Sequence, residues 1–386
     1  MGFALYLHPF DCEALERAGG LQRLVDLGVR ELVLAVAYHD GRWLMPWHPA
    51  GRVRFLEDGC VHYRPAAHYG RLQPQPSTAV PTAGPSPLER LGAAAERVGL
   101  RVRAWWVGNH NSRLGELHRD CAVENAAGDR YPYALCPAQP EVQQYLLAMA
   151  ADLAGHAGLG AIEAEALGWM GYRHSSHHDK SSFAPRGLLD YALSACFCAA
   201  CRQALAAAGH DPEALRQLAR EALALGLEQA CALEPAVVLP ERFAAGLLPL
   251  RSVRKAVLAE FGARLAQVLR GGPALALQVH PDPWFTGSQL PQEQAALVPA
   301  VQHVVTAYGE NPLAIQGLLD GVAKAPVPGR SLRLSLWPKA PQFAGEADLV
   351  QVRELARARG VGEFALYHLG LLPWRTLERV ATVFGA

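Results

Sequence analysis

Eight short runs of aliphatic, aromatic and β-branched residues recur along the chain, each ending near polar or turn residues and separated from the next by helical patterning. They occupy residues 3–8, 31–38, 101–107, 161–167, 274–280, 302–308, 331–337 and 363–368. Between them lie amphipathic segments at 13–27, 87–98, 142–154, 253–269 and 348–359, several ending near glycine as helices do. Strand and helix in alternation, with eight strands, predict an α/β chain folded as a (β/α)8 TIM barrel with right-handed crossovers. An open doubly wound sheet is the rival, but no glycine-rich turn follows the first run, where a dinucleotide-binding unit would place it.

The length of 386 residues suits one barrel domain carrying insertions. Two stretches exceed an ordinary strand-to-helix loop. Residues 41–85 follow the second run and are rich in Pro, His and Tyr, whereas 168–251 follow the fourth and hold several helical pieces. Both begin where a strand ends, on the face where barrel enzymes build their sites, and are read as lids or pocket walls. Lys plus Arg equals Asp plus Glu at 36 each, which removes the electrostatic argument for nucleic acid or an anionic membrane as partner. A small molecule or oligosaccharide fits better, and self-association into a homo-oligomer is left open. Met1-Gly2-Phe3-Ala4-Leu5-Tyr6-Leu7-His8 reads as a first strand rather than a leader, so a cytoplasmic location is expected. The eight cysteines are then thiols or metal ligands.

Cys196-Phe197-Cys198-Ala199-Ala200-Cys201 places three thiolates close enough to converge on one soft cation. Tetrahedral zinc needs a fourth ligand from elsewhere, for which Cys136 is the best candidate and Cys121 the reserve; burial as small core residues is the alternative. Cys136-Pro137-Ala138-Gln139-Pro140-Glu141-Val142 followed by Cys-x-Cys-x-x-Cys and a helix resembles family 42 glycoside hydrolases, the β-galactosidases. The resemblance covers 131 to about 205 and agrees elsewhere only in barrel architecture. It implies that the four cysteines jointly bind structural zinc.

In the fourth run, alternation puts Glu163 and Glu165 on one face, with Ile162, Ala164 and Ala166 on the other. Outward faces lie under helices, so both carboxylates are expected inside the barrel, where Arg103 and Arg333 can supply counter-charge. Glu163 lies one layer deeper and serves either as a structural partner of these arginines or as a catalyst. Glu165 occupies the region in which family 42 and related retaining barrels carry their acid/base glutamate, although Ala164 replaces the usual preceding asparagine. The seventh run ends Ser335-Leu336-Trp337-Pro338-Lys339 and offers no carboxylate before Glu346, where such enzymes place a nucleophile. A second carboxylate is needed for either stereochemical outcome. Asp282, Glu310 and Asp179 are candidates, and Asp282 is preferred for its place near a strand end and its neighbour Trp284.

His174, His177, His178 and Asp179 crowd the loop beyond Glu165, with Tyr172 beside them, and could orient hydroxyls, shuttle protons or bind a divalent metal. His8, Asn109, His280, Tyr308, Trp337 and Tyr367 fall at expected strand ends and would face the same cup. Aromatic faces with paired donors and acceptors suit a carbohydrate. The leading expectation is a glycoside hydrolase-like barrel with Glu165 as general acid/base. The rivals are a metal-dependent hydrolase or isomerase using His177, His178 and Asp179, and a barrel that binds sugar without cleaving it.

Overall fold

The computed structural model describes residues 2–16, 19–48, 51–174, 180–230 and 237–385. Eight parallel strands form the barrel: β1 (Phe3–Leu7), β2 (Val29–Tyr38), β3 (Arg101–Val107), β4 (Leu159–Glu165), β5 (Ala274–His280), β6 (Gln302–Ala307), β7 (Ser331–Leu336) and β8 (Val361–Leu366). Each pairs in parallel with its sequence neighbour, and β1 pairs with both β2 and β8, which closes the sheet. Each expected run falls on a strand, with ends displaced by no more than two residues.

Period-two alternation sorts each strand into two faces. Leu32 and Leu34 of β2, Ile162 and Ala164 of β4, and Leu334 and Leu336 of β7 are all buried beneath the surrounding helices. The helix Pro87–Glu96 shows how such a layer is made. Ser86 and Glu89 form a reciprocal capping box, Pro87 stands at the first turn, and Leu88, Leu91, Ala94 and Ala95 form the buried stripe. Removing the Ser86 hydroxyl would cost about 1 kcal/mol.

The barrel interior is charged rather than aliphatic. Arg333 contacts Glu31 at 2.6 Å and Glu163 at 3.9 Å, while Arg103 contacts Glu31 at 3.2 Å and Glu163 at 3.4 Å. Arg103 also donates to Gln302 Oε1 at 2.8 Å, and Arg333 reaches Glu363. Glu163 additionally accepts from Gln278 at 3.1 Å and from the Tyr6 hydroxyl. Ionic groups in this setting persist because each has several partners.

Three excursions rise from the C-terminal ends of the strands. After β2, an antiparallel hairpin joins Gly41–Leu44 to Val53–Leu56, and Cys60–Val61 returns antiparallel to β2. After β3 comes an excursion that composition did not single out: helix Ser112–Leu117, then a hairpin joining Ala122–Glu124 to Arg130–Leu135. After β4 come helices Gly187–Ser194, Ala199–Ala207 and Pro212–Gln229, and the first part of Glu241–Val268. That last helix serves two cores. Phe243, Leu247 and Leu250 join Leu189, Tyr191 and Phe197 in a satellite cluster, whereas Leu258, Phe261 and Leu265 join the main core.

Candidate active site

The end of β4 is set by its backbone. Ala166 adopts φ 55°, a left-handed conformation that a residue with a Cβ takes at a cost of about 1–2 kcal/mol. It is held there from both sides: its N–H donates to Ser288 O at 2.8 Å, and its carbonyl accepts from Asn109 N–H at 2.7 Å. Strand alternation therefore stops at Glu165, so the expected continuation to Leu167 is corrected. Gly171 then lets the descending loop meet the post-β4 helices, since a Cβ there would lie 2.0 Å from Ser194 Oγ.

Glu165 is 9% exposed and opens into a cavity of about 430 Å³ over the C-terminal ends of the strands. Trp105 on β3, the register neighbour of Glu163, donates its indole N–H to Glu165 Oε2 at 2.8 Å. Burial raises the Glu165 carboxyl above its ordinary value; hydrogen bonds from Ser288 and Trp105 oppose that rise, and nearby Glu163 adds to it. Tyr38, Trp105, Tyr308 and Tyr367 form the aromatic lining. They brace one another: the Tyr308 and Tyr367 rings lie 4.4 Å apart, Tyr38 and Trp105 4.8 Å, and the Tyr38 and Tyr367 hydroxyls 3.4 Å.

Imidazoles continue this lining from Tyr38, on which His39 stacks at 4.2 Å. His39 stacks on His110 at 4.0 Å, and His110 meets His174 at 4.8 Å. Burial, followed by the nearby His39, lowers His174 to about 3, and it drives His110 well below the ordinary histidine value, so both are neutral at pH 7. Arg173, Asp40, Ser112, Tyr133, Ser288 and Gln289 complete the lining. Arg173 stands 3.9 Å from Asp190, which itself accepts from the Thr286 hydroxyl at 2.7 Å.

Of the residues expected in the cup, Glu165, His174, Tyr308 and Tyr367 line this cavity together. Glu163 lies below it, fully buried in the ionic layer. Asn109 is buried and donates to Gly168 O at 3.3 Å. His8 is also fully buried, boxed by Phe10, Tyr38, Trp43 and His368 at ring distances of 4.6–5.2 Å. The post-β2 hairpin supplies Trp43 and so covers His8. Tyr172 is held through its backbone N–H to Ser194 Oγ at 2.9 Å. Asp282 lies off the cavity lining, where its side chain accepts from the Trp284 backbone N–H at 2.9 Å and closes a turn. His280 stacks on Phe285 at 3.8 Å, and Trp337 is covered by the Lys339 ammonium at 3.2 Å. His177, His178 and Asp179 lie outside the described residues.

The strand-end rule that selected Tyr308 and Tyr367 reaches His39, Asp40 and His110 equally well, because each follows the last residue of β2 or β3 within three positions. Tyr133 had no such signal. It arrives on the hairpin after β3, where its carbonyl accepts from Asn111 N–H at 3.0 Å and its hydroxyl donates to Gly171 O at 3.1 Å.

Immediately after Leu135, the last residue of that hairpin, the chain enters a second constellation. Cys136, Cys196, Cys198 and Cys201 are buried, with their sulfurs all within 4.8 Å of one another. Cys136 Sγ lies 3.4, 3.8 and 3.6 Å from the sulfurs of Cys201, Cys196 and Cys198. Such a group can hold a metal ion, and among the described residues it is the one set of His, Cys, Asp and Glu side chains that meets this criterion. The cluster ties the excursion after β3 to the one after β4. Phe197 N–H donates to Glu124 O at 2.7 Å alongside it, and Cys136 N–H to Cys121 O at 2.8 Å.

Fold and cavity together define a closed (β/α)8 barrel with a carboxylate-and-aromatic pocket over its strand ends. Among solved structures, that barrel is shared with the glycoside hydrolase domain of PgaB (BpsB) from Bordetella bronchiseptica at TM-score 0.60 and 13% identity, covering 100% of this chain and 99% of that one. The catalytic domain of β-amylase from Paenibacillus polymyxa matches at TM-score 0.59 and 10% identity, over 99% and 97%. α-L-Fucosidase isoenzyme 2 from Paenibacillus thiaminolyticus matches at 0.54 and 11%, over 100% of this chain and 49% of that one. No family model and no curated protein matches the sequence. At these identities the likeness establishes the barrel fold.

Proposed function

We propose that this chain is a carbohydrate-active, glycoside hydrolase-like barrel in which Glu165 is the general acid/base. The carrying observation is the placement of one buried carboxyl, raised by desolvation, against an aromatic-lined cavity of about 430 Å³. Stacking on Tyr38, Trp105, Tyr308 and Tyr367 would hold a sugar ring, and His39 together with the neutral His110 and His174 offers donors and acceptors to its hydroxyls. A protonated Glu165 would deliver its proton to the departing glycosidic oxygen and, as the carboxylate, take one from the incoming water. Asp40 is the other carboxylate on the described lining and takes the place first given to Asp282. The likeness to the PgaB glycoside hydrolase domain and to β-amylase supports an oligosaccharide as substrate class.

The cysteine set fits structural zinc. Four sulfurs at about 2.3 Å from a tetrahedral centre lie about 3.8 Å apart, close to the separations from Cys136. Zinc would hold the two cavity-wall excursions together and takes no part in the proton transfers.

The test is a panel of neutral and amino-sugar oligosaccharides, scored for binding by calorimetry and for cleavage by reducing-end release. Wild type should bind and cleave at least one, while Glu165→Gln should bind it with similar affinity and turn over ~10²–10⁴-fold more slowly. Unchanged turnover by Glu165→Gln would remove the residue from its role, and binding without cleavage by the wild type would favour a sugar-binding barrel.

A further inference from the structure

Away from the cavity, the helix Glu241–Val268 turns one cation inward. Arg254 is 4% exposed and is paired with no carboxylate among the described residues, although its helix neighbours Arg251 and Lys255 both engage Glu293, the latter at 2.7 Å. Its guanidinium lies 5.0 Å from the centroid of Trp169, in the loop after β4, and 5.0 Å from that of Tyr191, in the helix Gly187–Ser194. Arginine keeps its charge in any protein environment, so burial cannot neutralise it. Ring faces offset part of the desolvation but satisfy none of the N–H groups. Arg254 Nε and Nη2 are buried without a hydrogen-bond partner, as are the Trp169 indole N–H and the Tyr191 hydroxyl.

The polar groups left over at this junction are all able to donate. Trp169 and Tyr191 are 6% and 1% exposed, so bulk water does not supply the missing acceptor. We propose that Arg254, Trp169 and Tyr191 form a buried binding site for a small monovalent anion of the halide class, which supplies the paired counter-charge and acceptor that the described residues do not place against them. A halide is preferred to a tetrahedral oxyanion because it is smaller and more weakly hydrated, and so costs less to desolvate in a buried setting. The ion would join the post-β4 helices to the loop after β4 at Trp169, four residues from Glu165, giving the junction an anion-dependent stability independent of the sugar cavity.

The test uses the full-length protein with bromide as probe. Crystals soaked in sodium bromide should show an anomalous bromine peak within hydrogen-bonding reach of Arg254, Trp169 and Tyr191. In solution, replacing sodium gluconate by sodium bromide at constant ionic strength should raise the melting temperature along a saturable curve. Tyr191→Phe keeps the ring and removes one donor, so its half-saturating bromide concentration should rise roughly tenfold, as loss of one hydrogen bond to a charged group implies. Arg254→Met should abolish the saturable component; if that variant does not fold, Tyr191→Phe and Trp169→Phe carry the comparison. Bromine peaks only elsewhere, or the same bromide response in Tyr191→Phe, Trp169→Phe and wild type, would overturn the site.

Discussion

Glu163 and Glu165 sit two positions apart on one face of β4, yet their surroundings assign them opposite thermodynamic roles. Glu163 is fully buried and meets Tyr6, Arg103, Gln278 and Arg333. Glu165 is hydrogen-bonded by Trp105 and Ser288 and faces a cavity. Neutralising each by Gln at pH 8 should therefore move stability in opposite directions. Glu163→Gln strips a charge from a buried network and should cost about 3–5 kcal/mol in urea unfolding. For Glu165 the folded carboxyl is raised, so its contribution to stability is fully present below the unfolded value of about 4.3 and is lost as pH rises through the folded value. Glu165→Gln should accordingly melt above wild type at pH 8, with the gap narrowing as pH falls through the folded carboxyl's raised value. A destabilised Glu165→Gln at pH 8 would show that its carboxylate is held by favourable partners after all. Strand parity made the shared inward face of this pair legible. The separation of roles was not, because it depends on which strands bring Tyr6, Gln278 and Trp105 alongside.

At the scale of elements, the excursions decide what the cavity looks like, and their legibility was uneven. The Cys-x-Cys-x-x-Cys spacing is local, so three of the four clustered cysteines were readable from one short segment, and the Cys-Pro segment pointed to the fourth. The post-β3 excursion escaped notice because strands of three and six residues carry little periodic signal, and tertiary hydrogen bonds, among them those to Asn109, Asn111, Gly171 and Phe197, fix them. With it escaped Tyr133, while the post-β2 hairpin turned out to bury His8 under Trp43. The cysteine cluster joins the excursions that deliver Tyr133 and the Arg173–His174 turn, so losing metal should deform one wall rather than unfold the barrel. Purified protein is expected to hold about one zinc per chain. A Cys198→Ser and Cys201→Ser double variant should lose it, retain the far-ultraviolet dichroism of the barrel, and bind the panel's best oligosaccharide ~10–100-fold more weakly. Unchanged zinc content would sink the ligand assignment, and unchanged sugar binding would sever the metal from the wall.

For the molecule as a whole, the βα repeat was legible because a closed parallel barrel must place one buried strand after each helix, and that constraint is written along the entire chain. What composition hides is how many titratable groups this closure buries. Burial lowers His62 and His303 to about 4 and His368 to about 3, and it places His8 well below the ordinary range. His110, His174 and His280 are depressed for the same leading reason. Against them stand carboxyls raised by burial: Asp11 to about 7, Asp190 to about 6, and Glu165. The signs oppose. A depressed histidine contributes stability that is complete above the unfolded value of about 6.5 and declines as pH falls toward the folded value, whereas a raised carboxyl loses its contribution as pH rises. With His156 also lowered by burial and Asp58 also raised by it, eight imidazoles stand against four carboxyls between pH 6.5 and 4.5, so the unfolded chain binds more protons and acid disfavours the fold. Each unmatched imidazole contributes about 1.4 kcal/mol per pH unit, which exhausts an ordinary stability of about 5–15 kcal/mol within a few units. Stability should therefore peak near neutrality, and cooperative unfolding should begin well above the usual carboxylate range, with a midpoint at about pH 4–5.5 and several protons taken up per chain. Melting curves from pH 8 to 4, with urea titrations at pH 7 and 5.5, measure this directly. A melting temperature that stays flat between pH 7 and 5 would mean that the buried imidazoles are matched by partners in the folded barrel.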